Sequence, residues 1–350
     1  MWLITLRDLQ WRLRRFGFGA LGTALVFAVT LLLSGLSDAL HSEADRAVAA
    51  VGADAWVVRA GTSGPFSALS AMPDTVVAQV AQAPGVSRAD PWIMAFGTTA
   101  GKRQADVSVI GYRPGGMGPP VPSSGRQPSR PGEALVDTAT GYRIGDAFSL
   151  TGVPLVVVGQ VQHMTLRGGV GNVYLNLRDA QSVLFKGNRI VTAVVTKGMP
   201  RDAAALGLNA VPANFARNDI LRLFSKGLDA IDILRLLLWA VAIAVVGTVT
   251  YLSVLERLQD LAVLKAIGVS SRSLLLSLIV QAVVLSAVAA VVAVAIGFAV
   301  APAFPMPVHL SVTSCATMVG AAIGIGLLSS LAGLRRAVGV DPAAAFGAGT

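Results

Sequence analysis

Glu133, Asp137 and Asp146 lie close enough in the chain to raise the prospect of a carboxylate pair sharing a proton, the arrangement used for general acid–base work. Turn and surface positions explain them more simply. His41, His163 and His309 are far apart and have no cysteine partners, so no zinc-ligand spacing forms, and His309 fits a solvated interface position. Cys315 is the single cysteine, which rules out an intrachain disulfide. Gly17-Phe18-Gly19-Ala20-Leu21-Gly22 fits the dinucleotide pattern, but that pattern needs a preceding strand and here it opens an apolar run. Small residues that let helices approach are the better account. There is no G-x-x-x-x-G-K-[ST] phosphate loop and no serine elbow. The chain is therefore not expected to be an enzyme by itself, nor to bind a cofactor or metal.

The elements that carry these residues are mostly apolar. In 350 residues only 13% are charged, and the mean hydropathy of +0.66 is too high for an ordinary soluble domain. Runs at Phe16–Leu36, Ile233–Val254, Leu274–Val300 and Val312–Leu334 reach the roughly 20 residues that cross a bilayer core. The first is longer than the apolar core of a signal peptide, about 7 to 15 residues, and lacks a clean cleavage site, so it reads as an uncleaved anchor. Arg12, Arg14 and Arg15 precede it; Arg257, Lys265 and Arg272 lie between the second and third runs; Arg335 and Arg336 follow the fourth. The segment 301–310 carries no Lys or Arg. By the positive-inside bias, both termini and the charged connector are cytoplasmic, in a multi-pass protein of the plasma (inner) membrane.

The expected organisation is a cytoplasmic amphipathic segment at 1–15, span 1 at 16–36, an extracytoplasmic domain at 37–232 and span 2 at 233–254. A cytoplasmic connector at 255–273, span 3 at 274–300, a short outer loop at 301–311, span 4 at 312–334 and a cytoplasmic tail at 335–350 complete it. The fold class is thus four transmembrane α-helices with a large α+β domain inserted between the first two. The net charge of +9 is largely explained by the cytoplasmic flanks, which meet anionic lipid headgroups. Basic residues in the outer segment are scattered, which argues against nucleic acid. Within the spans from Ile233 onward the main charge is Arg235, near the outer end, which weakens a channel or ion-coupled carrier. Gly320 and Gly324 form a G-x-x-x-G pair that suits tight helix packing or generic span composition.

In the outer segment, Asp38–Val51 continues span 1 as a helix, and strands are expected at 55–60, 92–99, 106–112, 133–137, 147–150, 155–161 and 190–196. Helices are expected at 73–83, with Pro73 in the first turn, at 178–185, and from 216 into span 2. The Pro- and Gly-rich stretch 114–125 is a loop or a hinge between two lobes.

The connector Glu256–Ser270 is built from good helix formers until Gly268, more order than a simple return of the chain requires. In a helix, Leu258, Leu261, Ala262 and Ile267 share an apolar face, while Glu256, Arg257, Gln259 and Asp260 stay wet. Arg257, Asp260 and Lys265 could pair with charges on a partner; lying on lipid is the plainer alternative. Asp341-Pro342 either ends the last cytoplasmic helix or offers a second contact.

Glu256–Ser270 resembles the E-R-x-x-E-x-A-x-L-R-A-x-G-A-S signature of FtsX/MacB-type (type VII) ABC transporter permeases, with Asp260 for Glu, Lys265 for Arg and Val269 for Ala. Arg336 to Phe346 resembles the family's closing R-A-x-x-x-D-P-x-x-A-L, with Phe346 in the Leu place. The strand-like 133–137, 144–146 and 156–159 look like its outer domain. The resemblance implies coupling to an ATP-binding subunit through Glu256, Arg257, Asp260, Leu261, Leu264, Lys265 and Gly268, with Arg336, Asp341 and Pro342 as the C-terminal motif. It also implies ATP and Mg bound by that subunit, a second identical or different permease, contact with membrane lipid, and an exported accessory protein as a further partner. Two functions are carried forward. One is an ATP-driven permease that exports or extracts a lipid, peptide or other amphiphile by moving its outer domain. The other is a non-transporting mechanotransmitter that regulates a cell-wall hydrolase.

Overall fold

The computed structural model describes residues 13–256, 263, 267, 270–304, 308 and 310–338. It divides into two compact units, one formed by 1–39 with 227–350 and the other by 40–226.

The 40–226 unit is built on a sheet of 11 strands among the described residues, two of them pairing off its main path. Its strands include β1 (Ala55–Arg59), β3 (Arg88–Gly101), β4 (Asp106–Tyr112), β6 (Glu133–Asp137), β8 (Val153–Val161), β10 (Val170–Asn176), β12 (Ala193–Lys197) and β13 (Leu208–Pro212). Short strands are β2 (Met72–Pro73), β5 (Ser124–Gly125), β7 (Ala147–Leu150), β9 (Thr165–Leu166) and β11 (Ile190–Val191). The order is β13-β1-β12-β3-β4-β10-β6-β8-β5. Side chains alternate across a strand, so each face collects every second residue. Val57, Ile93, Val109, Val173 and Val194 bury on one face, beneath helices α2 (Val76–Ala81) and α3 (Leu177–Phe185). Trp56, Trp92, Ile110, Tyr174 and Val195 bury on the other, with Ala44 and Val48 of α1 (Leu13–Val51) and Ala216 and Ile220 of α4 (Ala213–Arg222). Both faces are dry, which supplies the core that a disulfide-free domain needs.

Several sequence expectations are corrected here. The 114–125 stretch does not separate two lobes, because β6 and β8, which follow it, share one sheet with β3 and β4, which precede it. Pro73 is in β2, opposite Ile190, and the helix behind it shortens to Val76–Ala81. The 190–196 run splits at Thr192, whose hydroxyl accepts the Met94 N–H at 2.8 Å while its own N–H donates to Trp92 O at 3.0 Å. Ile190–Val191 then pairs with β2, and Ala193–Lys197 pairs with β1 and β3. The helix expected from 216 into span 2 is interrupted: α4 ends at Arg222 and α5 (Ser225–Leu255) begins three residues later, with Leu223 and Phe224 N–H groups closing i,i+3 bonds between them.

Among the described residues four helices are long and apolar enough to cross a membrane: Gly17–Val51, Ser225–Leu255, Leu276–Ala303 and Val312–Ser330. They belong to α1, α5, α6 (Ser271–Val300) and α7 (Val312–Val338). In the unit that holds the spans, Ala24, Ala28, Ala242, Ala282, Ala289 and Ala293 are fully or nearly fully buried. Small side chains let these helices approach without a hydrophobic drive from water.

Candidate functional site

Glu256 marks the start of the connector: α5 ends at Leu255, and the Glu256 N–H donates to Leu252 O at 3.2 Å. Arg257, Asp260, Leu261, Leu264, Lys265 and Gly268 lie outside the described residues, as do Asp341 and Pro342 of the C-terminal motif. Arg336 falls on the α7 backbone. Two connector positions are described. Val263 is helical, and the Ile267 N–H donates to its carbonyl at 3.0 Å, one helical turn on. Val263 is 46% exposed and Ile267 76%, so within this chain these apolar side chains stay largely uncovered. At the far end of the connector, Ser270 caps α6 by accepting the Ser273 N–H at 3.3 Å.

The helices that carry the chain across are packed by small residues, but not at the expected pair. A Cβ at Gly320 or Gly324 would meet nothing within 4 Å in this chain. Close approach falls instead at Gly326, where a Cβ would sit 2.8 Å from Val283 Cα and 3.0 Å from Ala282 O. Gly19, of the 17–22 pattern, faces Val249 of α5. A hydrogen bond that sequence reading missed, Gln281 Nε2 to Ser253 Oγ at 2.9 Å, joins α6 to α5 in a buried position. Where the outer end of α1 meets α7, Ser314 Oγ donates to Asp38 at 2.6 Å.

In the inserted domain, the outer part of α1 and the helix α4 are pinned to loops between the strands and to each other. Glu43, 5% exposed, accepts the N–H groups of Gly168 and Gly169 at 3.0 and 3.1 Å. Arg46 Nε donates to His163 O at 3.1 Å, and Asp45 pairs with Arg217 of α4. Asp219 of α4 is fully buried and accepts the N–H groups of Phe66 and Ser67, at 2.8 and 3.0 Å, together with the Ser67 hydroxyl. That seats Phe66 edge-on against Trp92, 5.3 Å between ring centres. The sequence signal for these contacts was slight: an acidic residue on an otherwise apolar helix face, with partners more than 100 residues away.

The three carboxylates of the possible proton-sharing group each serve a different partner. Glu133 takes both terminal nitrogens of Arg126, at 2.5 and 2.6 Å, plus the Ser129 and Arg130 N–H groups. Its carboxyl is held well below the ordinary 4.5, first by the guanidinium bonds and then by the backbone donors. Asp146 is also shifted down, by the Arg143 N–H and then by Lys102. Asp137 departs from the expected surface position: it is 1% exposed, caps Ala139 at 2.7 Å and accepts the Met164 N–H at 2.7 Å. Burial outweighs those donors and raises its pKa.

A multi-pass membrane protein with four apolar helices and a large α/β domain after the first is thus defined by the fold. The family model for the MacB-like periplasmic core domain matches residues 20–210, and that for the FtsX-like permease C-terminal region matches 233–342. The chain belongs to the FtsX/MacB-type ABC transporter permeases. It is 40% identical over 348 residues to one ABC transporter permease of Mycobacterium tuberculosis, and 40% over 349 residues to a second, covering 99% of each chain in both cases. Among solved structures, it is similar to the periplasmic region of MacB from Actinobacillus actinomycetemcomitans, with a TM-score of 0.35 and 12% identity. That match covers 47% of this chain and 91% of the other.

Proposed function

We propose that this chain couples ATP hydrolysis by a separate nucleotide-binding subunit to movement of its extracytoplasmic domain, exporting or extracting a lipid, peptide or other amphiphile. ABC permeases work with an ATP-binding subunit, and that subunit, not this chain, binds ATP and Mg. The connector 255–273 is its docking element, and the chain itself is non-catalytic. Both termini lie on the cytoplasmic side of the plasma membrane, and a second permease subunit completes the complex.

The observation that carries this reading is the exposed apolar pair Val263 and Ile267, one turn apart in a connector that also carries Glu256, Arg257, Asp260 and Lys265. An uncovered apolar pair in a helix-forming segment suits the groove of a partner protein. The anchoring of α1 and α4 in the inserted domain supports the second half of the reading. Glu43, Arg46 and Asp219 join helices to the loops that connect the sheet's strands through hydrogen bonds, so a displacement of either helix would be delivered to the domain.

The test is ATPase coupling in the full permease–ATPase complex reconstituted in lipid. Leu261→Asp and Lys265→Glu are expected to weaken complex formation at least about tenfold and to abolish permease-dependent ATPase activity, the first because a carboxylate in an apolar contact is costly to desolvate, the second because it reverses a charge offered to the partner. Full coupling in both variants would overturn the connector's role.

A further inference from the structure

The loop between β8 and β10 is held in an unusual backbone conformation. His163 and Arg167 have φ of 59° and 57°, and Gly168 and Gly169 have 75° and 94°. Left-handed non-glycine residues are costly and persist where their surroundings over-determine them. Here the surroundings are explicit. Arg46 holds the His163 carbonyl, Asp137 holds the Met164 N–H, and Glu43 holds the N–H groups of Gly168 and Gly169.

What this scaffold fixes is Arg167. Its guanidinium carbon lies 4.3 Å over the ring of Phe96, itself 40% exposed. A guanidinium held over a ring face by cation–π attraction keeps its N–H donors available, and their fork suits a carboxylate bidentately. Among the described residues no carboxylate forms an ion pair with Arg167. Arg167 and Phe96 wall a cleft of about 380 Å³, completed by Val107, Val170, Thr98 and Asp106. That volume lies in the range of small-molecule sites. Asp106, which accepts the Thr98 hydroxyl at 2.9 Å, sets the charge limit. Arg167 is the one cation and Asp106 the one anion that line the cleft, so a single carboxylate is drawn to the Arg167 side while a second negative group, facing Asp106, is opposed.

We propose that this cleft binds a small amphiphilic monoanion, an aromatic or apolar body bearing one carboxylate. Arg167 takes the carboxylate, and Phe96 and Val170 take the apolar body. Glu43 is a positioning residue: it sits on α1, so the ligand's anchor and the first membrane helix share one hydrogen-bonded loop. In treating the ligand as cargo, the inference rests on the transport reading above; the binding itself does not.

The experiment uses the full chain in lipid nanodiscs, with empty nanodiscs subtracted, and two probes of nearly equal shape: 2-naphthoate and neutral 2-naphthamide. Wild-type protein is expected to favour naphthoate by at least about tenfold, as a charge-assisted bidentate contact implies. Arg167→Gln, at an exposed position, removes that preference without lowering the melting temperature, and Phe96→Ala weakens both probes. Equal affinity for the two probes in wild type, or an unchanged preference in Arg167→Gln, overturns the proposal. Leu261→Asp serves as the separating control. It abolishes ATPase coupling but leaves naphthoate binding intact if the cleft is real, so failure of the coupling reading and failure of the cleft give different results.

Discussion

Replacing Asp219 by Ala removes the acceptor of the Phe66 and Ser67 N–H groups and of the Ser67 hydroxyl. The Phe66 N–H is buried and the Ser67 N–H partly so, and both point at the lost carboxylate. A bond to a charged acceptor is worth about 1.5–3 kcal/mol, and a buried donor left unpaired incurs its desolvation cost. Taking about 2 kcal/mol for Phe66 and about 1 for Ser67 gives roughly 3 kcal/mol for opening the 62–70 loop. At 1.36 kcal/mol per tenfold, amide exchange in that loop should accelerate by roughly 150-fold. Hydrogen exchange read by mass spectrometry on peptides spanning residues 62–70 measures this directly, and Phe66 leaving Trp92 gives a fluorescence change at the same step. Gly64 supplies the internal control. A Cβ there would lie 2.1–2.3 Å from the Asp219 carboxylate, so Gly64→Ala opens the same loop in wild type. With Asp219→Ala that clash disappears, and the double variant should exchange about as fast as Asp219→Ala alone. Additive effects, or exchange in Asp219→Ala within about threefold of wild type, would refute the assignment of Asp219 as the pin.

Acid should release the Arg126–Glu133 clasp late. The Glu133 carboxyl is shifted down in the folded chain, so its contribution is fully present above the ordinary 4.5 and is lost as pH falls below that value through the lower folded one. Exchange at Ser129 and Arg130 should therefore stay slow through pH 4.5 in wild type and become fast there in Arg126→Gln; identical profiles would count against the clasp. For helix packing, Gly326→Ala should destabilise the protein in detergent by about 1–3 kcal/mol, because the new Cβ meets α6 backbone that cannot swing aside. Gly320→Ala, with nothing within 4 Å, should leave the melting temperature unchanged or raise it.

Much of the architecture was legible because it rests on local pattern. Apolar runs long enough to cross a bilayer marked the four membrane helices, and short strand-like runs at 106–112 and 133–137 marked two strands that the structure places with the same bounds. Val170–Asn176 was missed although it is central, lying between β4 and β6. Two glycines precede it, and Gly171, Asn172 and Asn176 interrupt it, so its propensity is weak; pairing on both edges overrides that. Pro73 reads as a helix opener until β11 offers it a strand partner. The G-x-x-x-G spacing at 320 and 324 was visible, but which glycine faces a neighbouring backbone depends on the rotation of α7 against α6. No spacing rule gives that.

By itself the sequence determined the membrane spans, the inserted domain and the connector with its family signature, since each is written in contiguous residues. Tertiary structure alone decided that Glu43 meets Gly168 and Gly169, that Asp219 meets Phe66, and that Arg167 is held over Phe96. These contacts join residues 71 to 153 positions apart. A buried carboxylate needs donors close in space, whatever their distance along the chain, and the folded sheet is what brings those backbone N–H groups to it.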